Sequence, residues 1–415
     1  MSEQLQTKGT GAAFLKLFRS LRRSSVAGVA AGDLISKILL VGVNLYLIRR
    51  LEITEYSHFA MLLNAIFLAY QLACGPIERL YIADHERFRG YMRPLGVILC
   101  MASLFACISW LLNKIAISDA ILILIGTLLL AHYQIMRIKL QQKMEFSLFA
   151  LSDIIKNALW LALVGIIIWI PGIPLGTSAL ICLLVATLLS TVVLSKSTMK
   201  RIPQFPSRGT YGHLFRLLWE TRFVILYSLA GALIPYMPIL MAAKSGSDVV
   251  IATYGAALRY QAILGMAVFA FNAVLLPKLA AYGHDTEGRE LFMLRMKRML
   301  PIGVLLFICT VLSVWLVIPY IDGGKYPMLP AIFLIISLTP ALSLASAPYI
   351  NILLLDGRAR EVFYCMMIGL AASVCGYVFF QSSKDGTWVA WVSLVTYFLI
   401  AAGSITCVRT MKRNS

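Results

Sequence analysis

Twelve stretches of about 20 mostly apolar residues recur along the chain, at 24–48, 57–75, 94–112, 117–136, 147–170, 174–195, 221–243, 250–276, 300–321, 329–354, 362–381 and 387–408. Each is long enough to cross roughly 30 Å of hydrocarbon as an α-helix. Lipid offers no partner to an open backbone group, so helix is the expected conformation of every stretch. The connections are short except near 196–220 and 277–299. The pattern predicts an all-α polytopic membrane protein of about twelve transmembrane helices.

The longest basic linker, Lys196 to Trp219 with Pro203 and Pro206, follows the sixth stretch. It divides the chain into a first six-helix lobe at 24–195, a cytoplasmic linker at 196–220 and a second lobe at 221–408. A basic segment at 1–23 and a tail at 409–415 flank them. An even number of spans per half makes the halves parallel repeats, related by an axis along the membrane normal. A short internal match agrees: setting Phe59 on Tyr254 sets Asn64 on Arg259. Phe14, Leu15, Phe18 and Leu21 alternate with Lys16, Arg19, Arg22 and Arg23, a pattern that suits a short interfacial helix as well as a basic tail.

Composition sharpens the class. Of 415 residues, 60% are hydrophobic and 13% charged, against about 25% charged in soluble domains. The eight cysteines form no CxxC or Cys/His cluster, so neither a zinc site nor a disulfide framework is expected. The net charge of +18 raises nucleic acid as a partner, but the charges follow the topology instead. With the N-terminus cytoplasmic, 28 of the 37 Lys+Arg fall on the inner side and 6 on the outer. That split is the positive-inside signal of a multi-pass protein with both termini in the cytoplasm. No nucleic-acid motif remains to be explained. There is no GxxxxGK[ST], HExxH or GxSxG, and the outer loops leave no room for a catalytic domain, so no enzyme and no cofactor are expected.

The remaining charges lie within the spans, where each costs about 2.5–3.5 kcal/mol unless it faces a partner or water. The first span carries Asp33, Lys37 and Asn44 on one narrow stripe, beside a small-residue row of Gly28, Gly32 and Ser36 that admits a close neighbour. The fifth carries Asp153, Lys156 and Asn157. The eighth carries Arg259 with no acid within one turn. Arg259 either meets Asp33 or Asp153 across the bundle or lines a wet cavity suited to a phosphate-like anion. Asn64 and Gln71 share a face of the second span. The seventh holds Tyr227, Pro235, Tyr236 and Pro238, and interrupted spans point toward a substrate path.

Several segments resemble a known family. Arg50-Leu51-Glu52-Ile53-Thr54-Glu55-Tyr56 resembles the R-L-G-x-x-E-[YF]-G turn of bacterial polysaccharide flippases, with Glu52 and Ser57 in place of the glycines. Ala252 to Arg259 resembles their G-x-Y-[SA]-x-A-x-R helix start, and Leu275-Leu276-Pro277 its L-x-P close. Arg137 to Phe146 is similar to their basic entry to the fifth helix. The chain resembles the O-antigen (Wzx-type) flippases of the multidrug/oligosaccharidyl-lipid/polysaccharide exporter superfamily. That resemblance implies a MATE-like, V-shaped pair of six-helix lobes around a cationic cavity in the bacterial inner membrane. The implied cargo is an undecaprenyl-pyrophosphate-linked oligosaccharide, with other polysaccharide-assembly membrane proteins as partners. Lys37, Arg259 and Lys156 would neutralise the pyrophosphate, while Asn44, Asn64, Gln71, Asn157 and Tyr236 line the cavity. Asp33 and Asp153 would couple an ion. The alternative is a cation-coupled exporter of drugs or organic cations with the same fold.

Overall fold

The computed structural model describes residues 25–83, 92–111, 115–142, 145–170, 172, 174–198, 210–245, 247–281, 286–380 and 386–414. The basic segment at 1–23 lies outside them. Fourteen helices and no strand are found among the described residues. The first lobe contains α1 (Ser25–Arg50), α2 (Ile53–Ala83), α3 (Met92–Leu111), α4 (Ile117–Gln142), α5 (Phe146–Ile167) and α6 (Leu175–Thr198). A short α7 (Thr210–Glu220) lies within the stretch read as linker. The second lobe contains α8 (Arg222–Leu233), α9 (Met237–Ser245), α10 (Asp248–Ala281), α11 (Thr286–Asp322), α12 (Leu329–Leu355), α13 (Ala359–Phe380) and α14 (Thr387–Asn414).

Eight of the described helices are long and apolar enough to cross a membrane, and α8 with α9 forms one further span bent by 55°. Helices α1, α3 and α10, of 26, 20 and 34 residues, coincide in position with three further expected spans. Several run beyond their apolar cores. α2 begins at Ile53 and continues through Pro76, α4 continues to Gln142, and α11 begins at Thr286 rather than at 300. Apolar length therefore locates a span but not its ends.

Close packing follows the small residues. A Cβ built on Gly32 would lie 2.5 Å from the Cβ of Ala150, so glycine is what lets α5 lie against α1. One turn on, Asn157 Nδ2 donates to the Ser36 carbonyl at 2.9 Å and to its hydroxyl at 2.8 Å. Buried hydroxyls also donate back to their own helix, as Thr187 does to Leu183 and Thr396 to Val392.

The lobes meet along α2. It packs on α10 and α8, while α1 also packs on α10. A Cβ on Gly255 of α10 would come 2.9 Å from that of Ala60 on α2. The register that sets Phe59 on Tyr254 sets Ala60 on Gly255, and these equivalent residues are the ones that touch. An axis along the membrane normal brings equivalents together in this way.

Both ends of this seam are joined. At the α1–α2 end, Ser57 Oγ donates to Asp248 Oδ1 at 2.8 Å, Lys325 Nζ donates to the Leu51 carbonyl, and the Tyr56 and Tyr326 rings are 6.2 Å apart. At the α2–α3 end, Arg79 Nη1 donates to the Tyr227 hydroxyl at 3.0 Å and stacks 4.9 Å from its ring.

Candidate functional site between the lobes

Arg259 lies eleven residues from the start of α10. At 1.5 Å per residue that is about 16 Å along the helix axis, well inside its apolar stretch. Its Nε and Nη2 are buried and have no hydrogen-bond partner among the described residues. A guanidinium cannot shed its proton, so its position calls for an anion or water. Of the two carboxylates considered from the sequence, only Asp153 is among the described side chains, and it is not that partner. The side chain of Asp33 lies outside the described residues, and Asp153 is engaged elsewhere.

Beside Arg259 the seventh span breaks. Pro235 and Pro238 have no N–H, so the carbonyls of Gly231 and Ile234 lose their helical donors, and the chain turns by 55° between α8 and α9. Tyr236 sits in the break, where Leu240 N still donates to its carbonyl. The charge of Arg259 acts on the phenols of both Tyr236 and Tyr56. Irregular backbone at this depth is tolerated where it lines a cavity rather than lipid.

Toward the α1–α2 end three tyrosines cluster, and one of them, Tyr56, reaches Arg259. Tyr56, Tyr260 and Tyr326 are fully buried; the hydroxyls of Tyr260 and Tyr326 have no hydrogen-bond partner among the described residues, and that of Tyr56 lies against the Arg259 guanidinium. Tyr260 and Tyr326 both lie within electrostatic reach of Tyr56 and of Asp322. Phe59 and Phe333 pack against the group, at 5.9 Å from Tyr56 and 6.4 Å from Tyr260. Toward the other end, Tyr70 lies within reach of Tyr236 and Asp153, and it accepts a hydrogen bond from Gln71 Nε2 at 3.1 Å.

A second charged group sits inside the first lobe. Asp153 Oδ2 meets Arg137 Nη2 at 2.6 Å, and Oδ1 meets Lys156 Nζ at 3.1 Å. The Tyr133 hydroxyl also donates to Oδ1, at 2.9 Å. Arg137 continues to Gln134 and Gln134 to Glu78, at 3.1 and 3.2 Å. The group holds two cations and two carboxylates, so it is internally neutral. Arg137 looked like a loop residue because the apolar run stops at 136. The helix in fact continues, and the charge turns inward.

The expected site residues therefore divide. Arg259, Tyr236 and Gln71 gather near the lobe interface. Lys156 is held by Asp153, and Asn157 ties α5 to α1 at Ser36 instead of facing a cavity. Asn64 and Asn44 are buried and donate to their own helices, at Ala60 and Leu40. Asn44 Oδ1 has no hydrogen-bond partner among the described residues. Lys37 is half-buried on α1. The tyrosine cluster, Arg137 and the contacts at the two ends had no signal in the sequence beyond residue type.

No protein-family profile matches the sequence, and neither does any curated protein. The fold is similar to that of the lipid II flippase MurJ in an inward closed conformation. The TM-score is 0.72 over 92% of this chain and 87% of that one, at 13% identity. It is also similar to an inward-facing multidrug resistance MATE family transporter of the MOP superfamily (TM-score 0.59, 15% identity, 94% and 96% covered). A MOP superfamily transporter from Pyrococcus furiosus, described as having a binding pocket of reverse polarity, matches with a TM-score of 0.53 and 15% identity over 97% and 94% of the chains. At these identities the likeness establishes the fold, that of a MATE-like polytopic helical membrane protein.

Proposed function

We propose that this protein is a flippase that moves an undecaprenyl-pyrophosphate-linked oligosaccharide, such as an O-antigen or capsule repeat unit, from the inner to the outer leaflet of the bacterial inner membrane. The observation that carries this reading is Arg259, a half-buried guanidinium within an apolar span, whose buried Nε and Nη2 have no hydrogen-bond partner among the described residues, beside a broken helix between two lobes. A pyrophosphate accepts bidentate hydrogen bonds from such a group. Lys37, on the helix packed against α10, is a second cation for the same anion. Lys156 serves only after releasing Asp153. The polyprenyl chain stays in lipid while the charged headgroup crosses between the lobes.

Alternating access follows from the seam. In the orientation that the charge split favours, the α1–α2 end faces outward and the α2–α3 end inward. Breaking Arg79–Tyr227 while keeping Ser57–Asp248 and Lys325–Leu51 opens the inner end, and the converse opens the outer.

A second reading, export of an organic cation, is favoured by the tyrosine cluster with Asp322 at its edge. The two readings differ in the sign of the charge that the cargo presents to Arg259. In proteoliposomes containing a fluorescent polyprenyl-pyrophosphate oligosaccharide, the flippase reading expects transfer between leaflets. Loss of a charge-assisted contact of about 1.5–3 kcal/mol would slow transfer by roughly 10- to 150-fold in Arg259→Ala, and less in Arg259→Lys. Full transfer by Arg259→Ala removes the pyrophosphate role. Wild-type protein that moves organic cations and no lipid-linked sugar establishes the second reading instead.

A further inference from the structure

Helix α7 separates its apolar and polar faces more strongly than any other described helix. Its inner face is Leu217, fully buried against Ile77 and Leu80 of α2 and Ile138 of α4, with Leu218, Val224 and Ile225 at the edge. Its outer face holds Phe215 and Trp219, one turn apart and 71% and 63% exposed. Arg216 is exposed beside them, 3.3 Å from Glu220. Arg222 stacks 4.5 Å from the Trp219 ring and donates to its carbonyl at 2.7 Å.

Two properties identify what covers this face. Exposed aromatics beside arginines are the signature of a helix lying in a membrane–water interface. The surrounding sequence, residues 196–222, carries Lys196, Lys200, Arg201, Arg208, Arg216 and Arg222 against the single acid Glu220. That charge complements the anionic headgroups of a leaflet.

The buried face of α7 is built from both halves of the lobe contact at that end. Ile77 and Leu80 flank Arg79, and Val224 and Ile225 lie three and two residues before Tyr227, with Arg79 and Tyr227 joined at 3.0 Å across the lobes. We propose that α7 is a docking site for anionic phospholipid headgroups, which seat on Arg216 and Arg222, and that their binding holds the Arg79–Tyr227 contact closed. The proposal is independent of the cargo.

The test uses the full-length protein in nanodiscs of neutral phosphatidylcholine or of phosphatidylglycerol, read by amide hydrogen exchange. Exchange at 210–220 and at 222–227 should slow together in phosphatidylglycerol. The expected factor is about fivefold for each of the two arginines, the equivalent of ~1 kcal/mol apiece. The lipid dependence should disappear in Arg216→Gln/Arg222→Gln, a pair of surface changes that spares the core, and also at high salt. Leu217→Ala should keep lipid-dependent protection of α7 and lose it at 222–227. Equal exchange of α7 in the two lipids overturns the headgroup site. Lipid-dependent exchange of α7 with none at 222–227 in the wild type overturns the coupling.

Discussion

The three buried tyrosines give a prediction whose sign is opposite to the usual one. Removing a buried tyrosine hydroxyl that is hydrogen-bonded costs a protein about 1 kcal/mol. The Tyr56 hydroxyl lies against the Arg259 guanidinium, whereas those of Tyr260 and Tyr326 are buried without a partner among the described residues. Each of the latter two then carries a desolvation cost of about 1–3 kcal/mol that phenylalanine does not. The ring and its packing are unchanged, so no cavity offsets the gain. Tyr260→Phe and Tyr326→Phe should each stabilise the closed α1–α2 end by about 1 kcal/mol or more. Tyr56→Phe should gain least, because its oxygen faces the charge of Arg259. For a chain of this size that amounts to an increase of about 1–2 °C in the unfolding midpoint per substitution. The midpoint is followed by intrinsic fluorescence in detergent. The same change should bias the protein toward the state closed at this end, read as slower labelling of a cysteine placed at this end outside the Ser57–Asp248 and Lys325–Leu51 contacts. A midpoint that falls by several degrees in either Tyr260→Phe or Tyr326→Phe would refute the reasoning, since it would mean that the hydroxyl is satisfied.

Other outcomes follow from the same geometry. Asp153→Asn leaves Arg137 and Lys156 facing each other without their shared carboxylate, and should destabilise the first lobe by about 3–5 kcal/mol, seen as loss of the monodisperse peak on mild heating. Arg79→Leu removes the joint at the α2–α3 end. It should raise cysteine accessibility there by roughly 5- to 30-fold, for a contact of about 1–2 kcal/mol. Gly255→Leu cannot fit against Ala60 at 2.9 Å, and should force the lobes apart near the α1–α2 end, read as a longer interlobe distance between spin labels. Asn157→Ala should cost only about 1 kcal/mol of thermal stability, because interhelical hydrogen bonds in membranes are individually weak, and it should leave transport rates unchanged.

What could be read from the chain depended on how local each property is. Apolar length is local, so the spans were legible. Their ends were not, because α2, α4 and α11 continue past the lipid-facing run into polar sequence. Arg259 was legible because a lone arginine in an apolar helix is costly wherever it points. The pairing of Lys156 with Asp153 was legible as neighbours on one turn. Arg137 was not, since a charge at the edge of an apolar run reads as a loop residue until the neighbouring helix shows it turning inward. Asn157 shows the reverse problem. A polar residue in a span must face something, but its own sequence does not say whether that is a cavity or, as here, Ser36 of α1. The tyrosine cluster draws on α2, α10 and the α11–α12 turn, so no window of sequence contains it. The break at Tyr236 was hinted by Pro235 and Pro238, although its place beside Arg259 required the fold.

The close approach of Ala60 and Gly255 gives the seam unequal lever arms. If the lobes pivot where they are tightest, Ser57 is three residues from the fulcrum and Arg79 nineteen. At 1.5 Å per residue the arms are about 4.5 Å and 28 Å. A tilt that separates Arg79 from Tyr227 by about 6 Å moves the Ser57–Asp248 pair by only about 1 Å. One end of the molecule can therefore open wide enough for a bulky headgroup while the short arm strains its hydrogen bond without parting. The reverse swing must be much larger in angle to free the same width beside Ser57. On this geometry the two openings are mechanically unlike, and exit on the short-arm side is the demanding half of the cycle.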